Sequence, residues 1–316
     1  MNPLILAELL YRGVNRLRRW LKVSGLAPGR RLPRPTISVG NISFGGSGKT
    51  PVTMAIASKL RSSGFRVAIL SRGYGRSVKE PSTLVTAADP ARFGDEPVLM
   101  REMLPGVDVV VGADRRAAGL DYLNDHDCDL FLLDDAFQHF PLARDIDVVI
   151  DHPAARWLRE GRSALRCADL VLRRGAAEKG EGIPPVFGMK LALTALRQEG
   201  TESPIEAIRG RRVFAFAGLA DNRQFFDSLS AAGAVLVGVR SFEDHHRYSD
   251  AEIDAILEEG RSKTADLIVT TAKDAVKIGN PAIAVAIVSV VIEQEEKFYQ
   301  LLFERIRGER SGSGRR

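Results

Sequence analysis

Cysteine is almost missing from this 316-residue chain. The two present, Cys128 and Cys167, lack CxxC spacing, which argues against a disulfide framework or a thiolate metal site and fits a reducing cytosol. Histidine is also scarce, with five in all, and beyond the adjacent His245-His246 no further His or Cys has metal-ligand spacing, which leaves metal binding there the weaker option. No apolar run approaches the roughly 20 residues needed to cross a bilayer. The longest, Ala282 to Ile292, is broken by Ser289 and suits a buried strand. No internal repeat is present. What remains is 45% apolar and 27% charged, the balance of a globular protein with a real core. The length predicts two domains.

Charge is unevenly placed. Residues 1–34 carry eight Lys/Arg against Glu8 alone, and residues 305–316 carry five arginines against Glu309, whereas the whole chain is only +5. The body between is therefore acidic, the opposite of a nucleic-acid binder, and no nucleic-acid partner is expected. Basic ends point to an anionic surface. Within the first 23 residues Leu6, Leu10, Val14, Leu17 and Leu21 share one helical face, Arg12, Arg16 and Arg19 the other, and Trp20 lies at the apolar edge. This predicts either a helix lying in a membrane headgroup plane or an amphipathic helix packed on the domain. Basic residues interleave with the leucines, so the segment reads as retained rather than as a cleaved signal.

With a Gly-Lys-Thr loop at residues 43–50 between its first strand and helix, the chain has the expected fold class α/β: a P-loop NTPase-type, mainly parallel sheet flanked by helices, with a second, smaller α/β unit and the N-terminal amphipathic helix. The expected division is a basic leader (1–34), a P-loop domain (35–185), a strand-containing linker (186–211), a second α/β domain (212–306) and a disordered basic tail (307–316). Strands are expected at 36–42, 66–71, 107–112, 130–134, 147–150, 186–193, 213–217, 234–239, 267–271 and 283–292. Helices are expected near 50–63, 96–104, 115–125, 221–232 and 250–260.

Between the first strand and helix lies Ser43-Phe44-Gly45-Gly46-Ser47-Gly48-Lys49-Thr50. It follows GxxxxGK[ST] except that Ser43 replaces the first glycine. Such a loop cradles phosphates with backbone N–H groups, its lysine neutralises β/γ-phosphates, and its Thr hydroxyl takes Mg²⁺. An apolar strand ending in Asp134-Asp135 supplies the metal carboxylate, with Asp134 the direct candidate. A guanine reader would space Lys and Asp by one residue, but Lys273 and Asp274 are adjacent, so ATP is favoured. A membrane-cycling regulatory ATPase would carry lysine where Phe44 stands. Asp95 and Glu96 open a helix, either as caps or as a base for an acceptor hydroxyl. Asp244-His245-His246 lies in a loop where the acid can orient a histidine for proton transfer. His139, with His126 and His152, reads mostly as structural.

The ordered set SVGNISFGGSGKTP (38–51), SRGYG (71–75), GDEPVL (94–99), VGADR (111–115), DDAFQH (134–139), FEDHHRY (242–248) and TTAKDAVK (270–277) resembles the tetraacyldisaccharide 4′-kinase family of lipid A synthesis. The resemblance implies two α/β/α units joined by a two-stranded linker. It implies ATP- and Mg²⁺-dependent phosphorylation of the 4′-hydroxyl of a tetraacylated glucosamine disaccharide 1-phosphate, at the cytoplasmic face of the bacterial inner membrane, to which the protein is peripheral. It also implies Asp95 as catalytic carboxylate paired with His245, Lys49 and Thr50 as phosphate and metal residues, and Asp134 and Asp135 as the acidic pair; Glu96, Asp244 and His139 are possible support read from their own positions beside these residues. Ala136 stands where the family usually has Gly, and Glu243 where Pro is common. The alternatives are a kinase or ATPase of the same class acting on a soluble metabolite, or a regulatory membrane-cycling ATPase.

Overall fold

The computed structural model describes residues 3–77, 80–177 and 184–308. The expected disordered tail falls mostly on 309–316, outside the described residues. In chain order the first elements are α1 (Pro3–Val23), β1 (Thr36–Asn41), α2 (Lys49–Ser62), β2 (Val67–Ser71), β3 (Thr83–Leu84), α3 (Pro90–Phe93), α4 (Asp95–Met103), β4 (Asp108–Val111) and α5 (Arg115–Asp125). Next come β5 (Leu130–Leu133), β6 (Ile146–Asp151), β7 (Leu170–Arg174), β8 (Val186–Gln198), β9 (Thr201–Pro204), β10 (Arg212–Ala217) and α6 (Asn222–Ala231). The remainder is β11 (Val235–Ser241), α7 (Asp250–Ser262), β12 (Leu267–Thr271), α8 (Ala272–Ile278), β13 (Ala284–Ile292) and α9 (Glu295–Ile306).

One sheet runs through the molecule in the order β11-β10-β12-β13-β8-β7-β6-β1-β5-β2-β4-β3, with β9 on β8. Strands β1, β2, β5 and β6 are buried at every position, which is why they read as apolar runs rather than alternating ones. All pairings on either side of the middle are parallel except the short β3 edge and the β8–β9 hairpin, while β8 and β13 pair antiparallel. β8 is longer than the expected 186–193. Its extension and the β9 hairpin occupy much of the polar stretch expected as linker, with Glu199 and Gly200 supplying left-handed turn residues.

Register explains the cleft. β7 ends at Arg174, opposite Met189 on β8, and β12 ends at Thr271, opposite Ala286 on β13. Met189 pairs with Ile292, and Leu196 with Ala286. The carboxyl ends of the two parallel halves therefore face each other across a bare β8–β13 ribbon. About six residues at ~3.3 Å rise make that gap about 20 Å. Ligands of open α/β sheets bind outside carboxyl ends, and here two such ends share one space.

The core of the first unit gathers Val52, Ile56 and Leu60 of α2 against β1, β2 and β5. Phe298, Tyr299 and Leu302 of α9 lie in the same cluster. Helix α9 was not foreseen, and although it falls within the expected second domain, 212–306, it packs on the first unit. The second unit has its own apolar clusters, with Val213, Ala215 and Leu229 on one face of the sheet and Phe214, Phe216 and Ile256 on the other.

Helix α1 docks by its polar side. Arg19 is 7% exposed, pairs with Glu160 (Nε to Oε2 2.6 Å) and lies 3.8 Å over the Phe137 ring. Asn15 donates to the Arg159 carbonyl, and Glu8 accepts from the Leu158 N–H. The apolar side is left outward, with Leu10, Leu17, Trp20 and Val23 between 56% and 71% exposed. Arg19, expected on the membrane-facing basic side, is instead a docking residue: its charge has a buried carboxylate partner.

Candidate active site

The phosphate loop is held from below. Asn41, at the end of β1, donates to Ser47 Oγ at 2.6 Å, and the Phe44 N–H donates to the Trp157 carbonyl. Gly45 and Gly48 adopt φ of 86° and 90°, which only glycine enters at little cost. Ser43 has no such conformation and is buried, bridged to Leu158, so the missing first glycine places no strain on the turn. Lys49 and Thr50 open α2. Phe44 is half exposed, and its ring packs 5.4 Å from Tyr11 of α1.

Asp134 closes β5 inside the molecule, where Thr53 Oγ1 donates to it at 2.9 Å. Burial, then the negative charges of Glu96 and Asp135, push its carboxyl well above the usual range, with Lys49 opposing. Asp135 takes the left-handed φ of 46° and accepts from Arg159 at 2.8 and 3.0 Å, with Lys49 Nζ 3.8 Å away. The left-handed residue of this turn is thus Asp135, and Ala136 needs no glycine-like freedom. Buried Arg115 donates to the carbonyls of Asp134 and Asp135. His139 lies behind, its imidazole pushed down to about 4 by burial and by Arg115 and Arg144, with Nε2 unpartnered among the described residues.

On the same unit, Asp95 is the first residue of α4. It follows Gly94 (φ 94°), where a Cβ would come within 2.9 Å of the Tyr74 carbonyl. His245, in the loop after β11, adopts φ 62° and reaches over so that Nδ1 lies 2.9 Å from Asp95 Oδ2. A carboxylate–imidazole hydrogen bond therefore links the two units. Asp244 turns away to Lys273 (2.7 Å), and His246 pairs with Glu252 and stacks on Phe242.

Sequence reasoning missed Arg159, Arg174, Lys273 and Lys277. Arg174 is half buried at the end of β7, its guanidinium made less basic by burial, and donates to the loop carbonyl of Gly46 at 3.4 Å. Among the described residues no carboxylate pairs with it. No local motif flags Arg159 or Arg174. The two lysines were visible as an i,i+4 pair in TTAKDAVK.

Residues 2–307 match the family described as tetraacyldisaccharide-1-P 4′-kinase. The chain belongs to this family. It is 40% identical over 301 residues to the tetraacyldisaccharide 4′-kinase of Pelobacter propionicus, covering 88% of this chain and 83% of that protein. It is 39% identical over 298 residues to that of Geobacter sulfurreducens, covering 87% and 83%. The crystal structure of "apo" form LpxK from Aquifex aeolicus in complex with ATP is similar at TM-score 0.82 and 34% identity, over 96% of this chain and 98% of that one. The P-loop α/β fold expected from the sequence is therefore shown. So is the activity class, a lipid kinase of lipid A biosynthesis acting on a lipid disaccharide phosphate.

Proposed function

We propose that this tetraacyldisaccharide 4′-kinase moves the γ-phosphoryl of ATP to the 4′-hydroxyl with Asp95 as the proton acceptor and His245 as its partner. The observation that carries this reading is the 2.9 Å hydrogen bond from one unit to the other at the mouth of the phosphate loop's cleft. Glu96, next to Asp95, acts electrostatically on Asp134, which also senses Lys49, so the first turn of α4 borders the phosphate end of the site.

Lys49 and the backbone N–H groups of residues 45–50 hold the β- and γ-phosphates. Among the described residues no three acidic, His or Cys side chains form a metal cage. That suits Mg²⁺, which is typically held by one or two carboxylates plus substrate phosphates and water. Buried Asp134, whose charge is disfavoured until a cation faces it, and the Thr50 hydroxyl fit such a role, with Asp135 supporting through Lys49 and Arg159. Mg²⁺ held by these residues would supply neutralisation of the transferring phosphoryl group. His245 occupies Asp95 Oδ2, leaving Oδ1 to receive the hydroxyl proton as the new O–P bond forms and the bond to ADP breaks.

The lipid acceptor implies a surface. No helix among the described residues is long and apolar enough to cross a membrane. The outward apolar face of α1 supports a peripheral seat on the anionic cytoplasmic face of the inner membrane, where an acylated sugar resides.

The test is transfer of label from [γ-³²P]ATP to tetraacyldisaccharide 1-phosphate in micelles by wild type and Asp95→Asn. The expected result is a fall in kcat of about 10²–10⁴ with KM for ATP little changed. Unchanged kcat with lost ATP affinity would move Asp95 from proton transfer to the nucleotide side.

A further inference from the structure

Two lysines of α8 face the Asp95–His245 pair. The helix that carries them is firmly set. Thr271 Oγ1 accepts from the Asp274 N–H (3.1 Å) and donates to Asp274 Oδ2 (2.7 Å). Fully buried Asp274 also accepts from the Gly218 N–H (2.9 Å) and from Lys277 Nζ (2.7 Å). Gly218 is needed at that contact, because a Cβ would lie 3.1 Å from both Asp274 Oδ1 and Tyr248 Oη.

Lys273 and Lys277, one turn apart, share a helix face. Lys273 Nζ donates to Asp244 Oδ1 at 2.7 Å and to His245 Nε2 at 3.2 Å. Lys277 Nζ lies 3.9 Å from Asp95 Oδ2. An ammonium has donors only. Nε2 must therefore be the accepting nitrogen, and the single ring proton sits on Nδ1, pointing at Asp95. The other groups facing the ring are Asp244, 3.9 Å from Nε2 on its own loop, and the Tyr74 ring at 5.5 Å.

We propose that Lys273 is a positioning residue for the transfer: its ammonium at Nε2 leaves the His245 ring proton on Nδ1, toward Asp95. This rests on Asp95 being the proton acceptor. A second proton on Nε2 would turn the ring into an imidazolium beside Asp95, and that ion pair would hold the electrons needed for the hydroxyl proton. Lys273 occupies the place where that proton would go.

The test uses full-length protein labelled with ¹⁵N-histidine, the His245 signals assigned by loss in His245→Gln. At neutral pH wild type is expected to show one protonated and one bare ring nitrogen. Lys273→Met is expected to gain protonation at Nε2 and to lose kcat about 10–100-fold with KM for ATP within about twofold; fixing a catalytic imidazole in its tautomer contributes up to ~10⁴ elsewhere. Lys273→Arg should restore both signals and stay within about threefold of wild-type kcat. Lys273→Gln, which keeps a donor without charge, should fall between and serves if the Met variant does not fold. A wild-type ring spectrum in folded Lys273→Met or Lys273→Gln overturns the proposal. Asp95→Asn with near-normal kcat overturns the underlying reading instead, and is scored without any Lys273 variant.

Discussion

The two walls of the cleft are built differently. Of the buried side-chain polar atoms without a partner among the described residues, seven of eight lie in the first unit, including Asn41 Oδ1, Arg115 Nε, Gln138 Oε1 and His139 Nε2. The eighth, Tyr248 Oη, is the second unit's only one. On the second wall Lys273, Asp244, Lys277 and Asp274 are already paired with one another. A buried polar group without a partner costs about 1–3 kcal/mol. The first unit thus keeps unpaired polar groups buried beneath its wall, while the second has its charges paired with one another and presents one imidazole. One wall carries the phosphate loop, the other the imidazole.

That contrast breaks if the second wall matters more for transfer than the first. Lys49→Ala removes the loop's charge on the phosphoryl group and is expected to lower kcat/KM about 10²–10³-fold, the ~3 kcal/mol typical of one lost electrostatic donor in an active site. A loss in Lys273→Met equal to or above that of Lys49→Ala, measured in the same assay, would erase the division of labour.

The proposed membrane seat belongs to the first wall alone, because α1 docks on residues 158–160 beside the phosphate loop. Replacing Leu10, Leu17 and Trp20 together with Ser is expected to lower affinity for anionic vesicles by about 10²-fold or more, since each apolar side chain contributes roughly 1.5–3 kcal/mol when fully buried. Co-sedimentation gives the answer, and unchanged binding would mean that the outward face is not the seat.

The smallest effect probes the first wall's unpaired histidine. Burial holds His139 down to about 4 in the folded protein, against an ordinary value of 6.5. The unfolded chain binds that proton more readily, so the stability tied to neutral His139 is present above about pH 6.5 and lost as pH falls toward 4. Allowing for partial solvent screening, the loss is about 1 kcal/mol. Thermal melts of wild type and His139→Gln should diverge in that window, and parallel curves would sink the claim.

Local chemistry was legible in the sequence wherever one segment held all of it. The strand, glycine loop and Lys49-Thr50 lie within fifteen residues, and the apolar run before Asp134 marks a doubly buried strand. The meeting of Asp95 with His245, 150 positions apart, was legible only through the family resemblance. What escaped depends on long-range packing. Alternation in α1 shows two faces but not which one docks, and burial of Arg19 needed Glu160 and Phe137 from far along the chain. Arg159 and Arg174 sit outside any motif, and their relevance comes from Asp135 and the Gly46 carbonyl beside them.

The return of α9 to the first core sets an order on assembly. Phe298, Tyr299 and Leu302 fill the surface over α2, yet they are made after the whole of the second unit. During synthesis the nucleotide-side half must wait, one flank bare, while residues 212–292 emerge and can collapse on themselves. Domains made on the ribosome tend to finish in the order they appear. This one is obliged to finish out of order, the earlier half sealed by a helix made last, so a nascent chain that has emerged from the ribosome only to about residue 292 would hold a second unit able to close and a first unit still open.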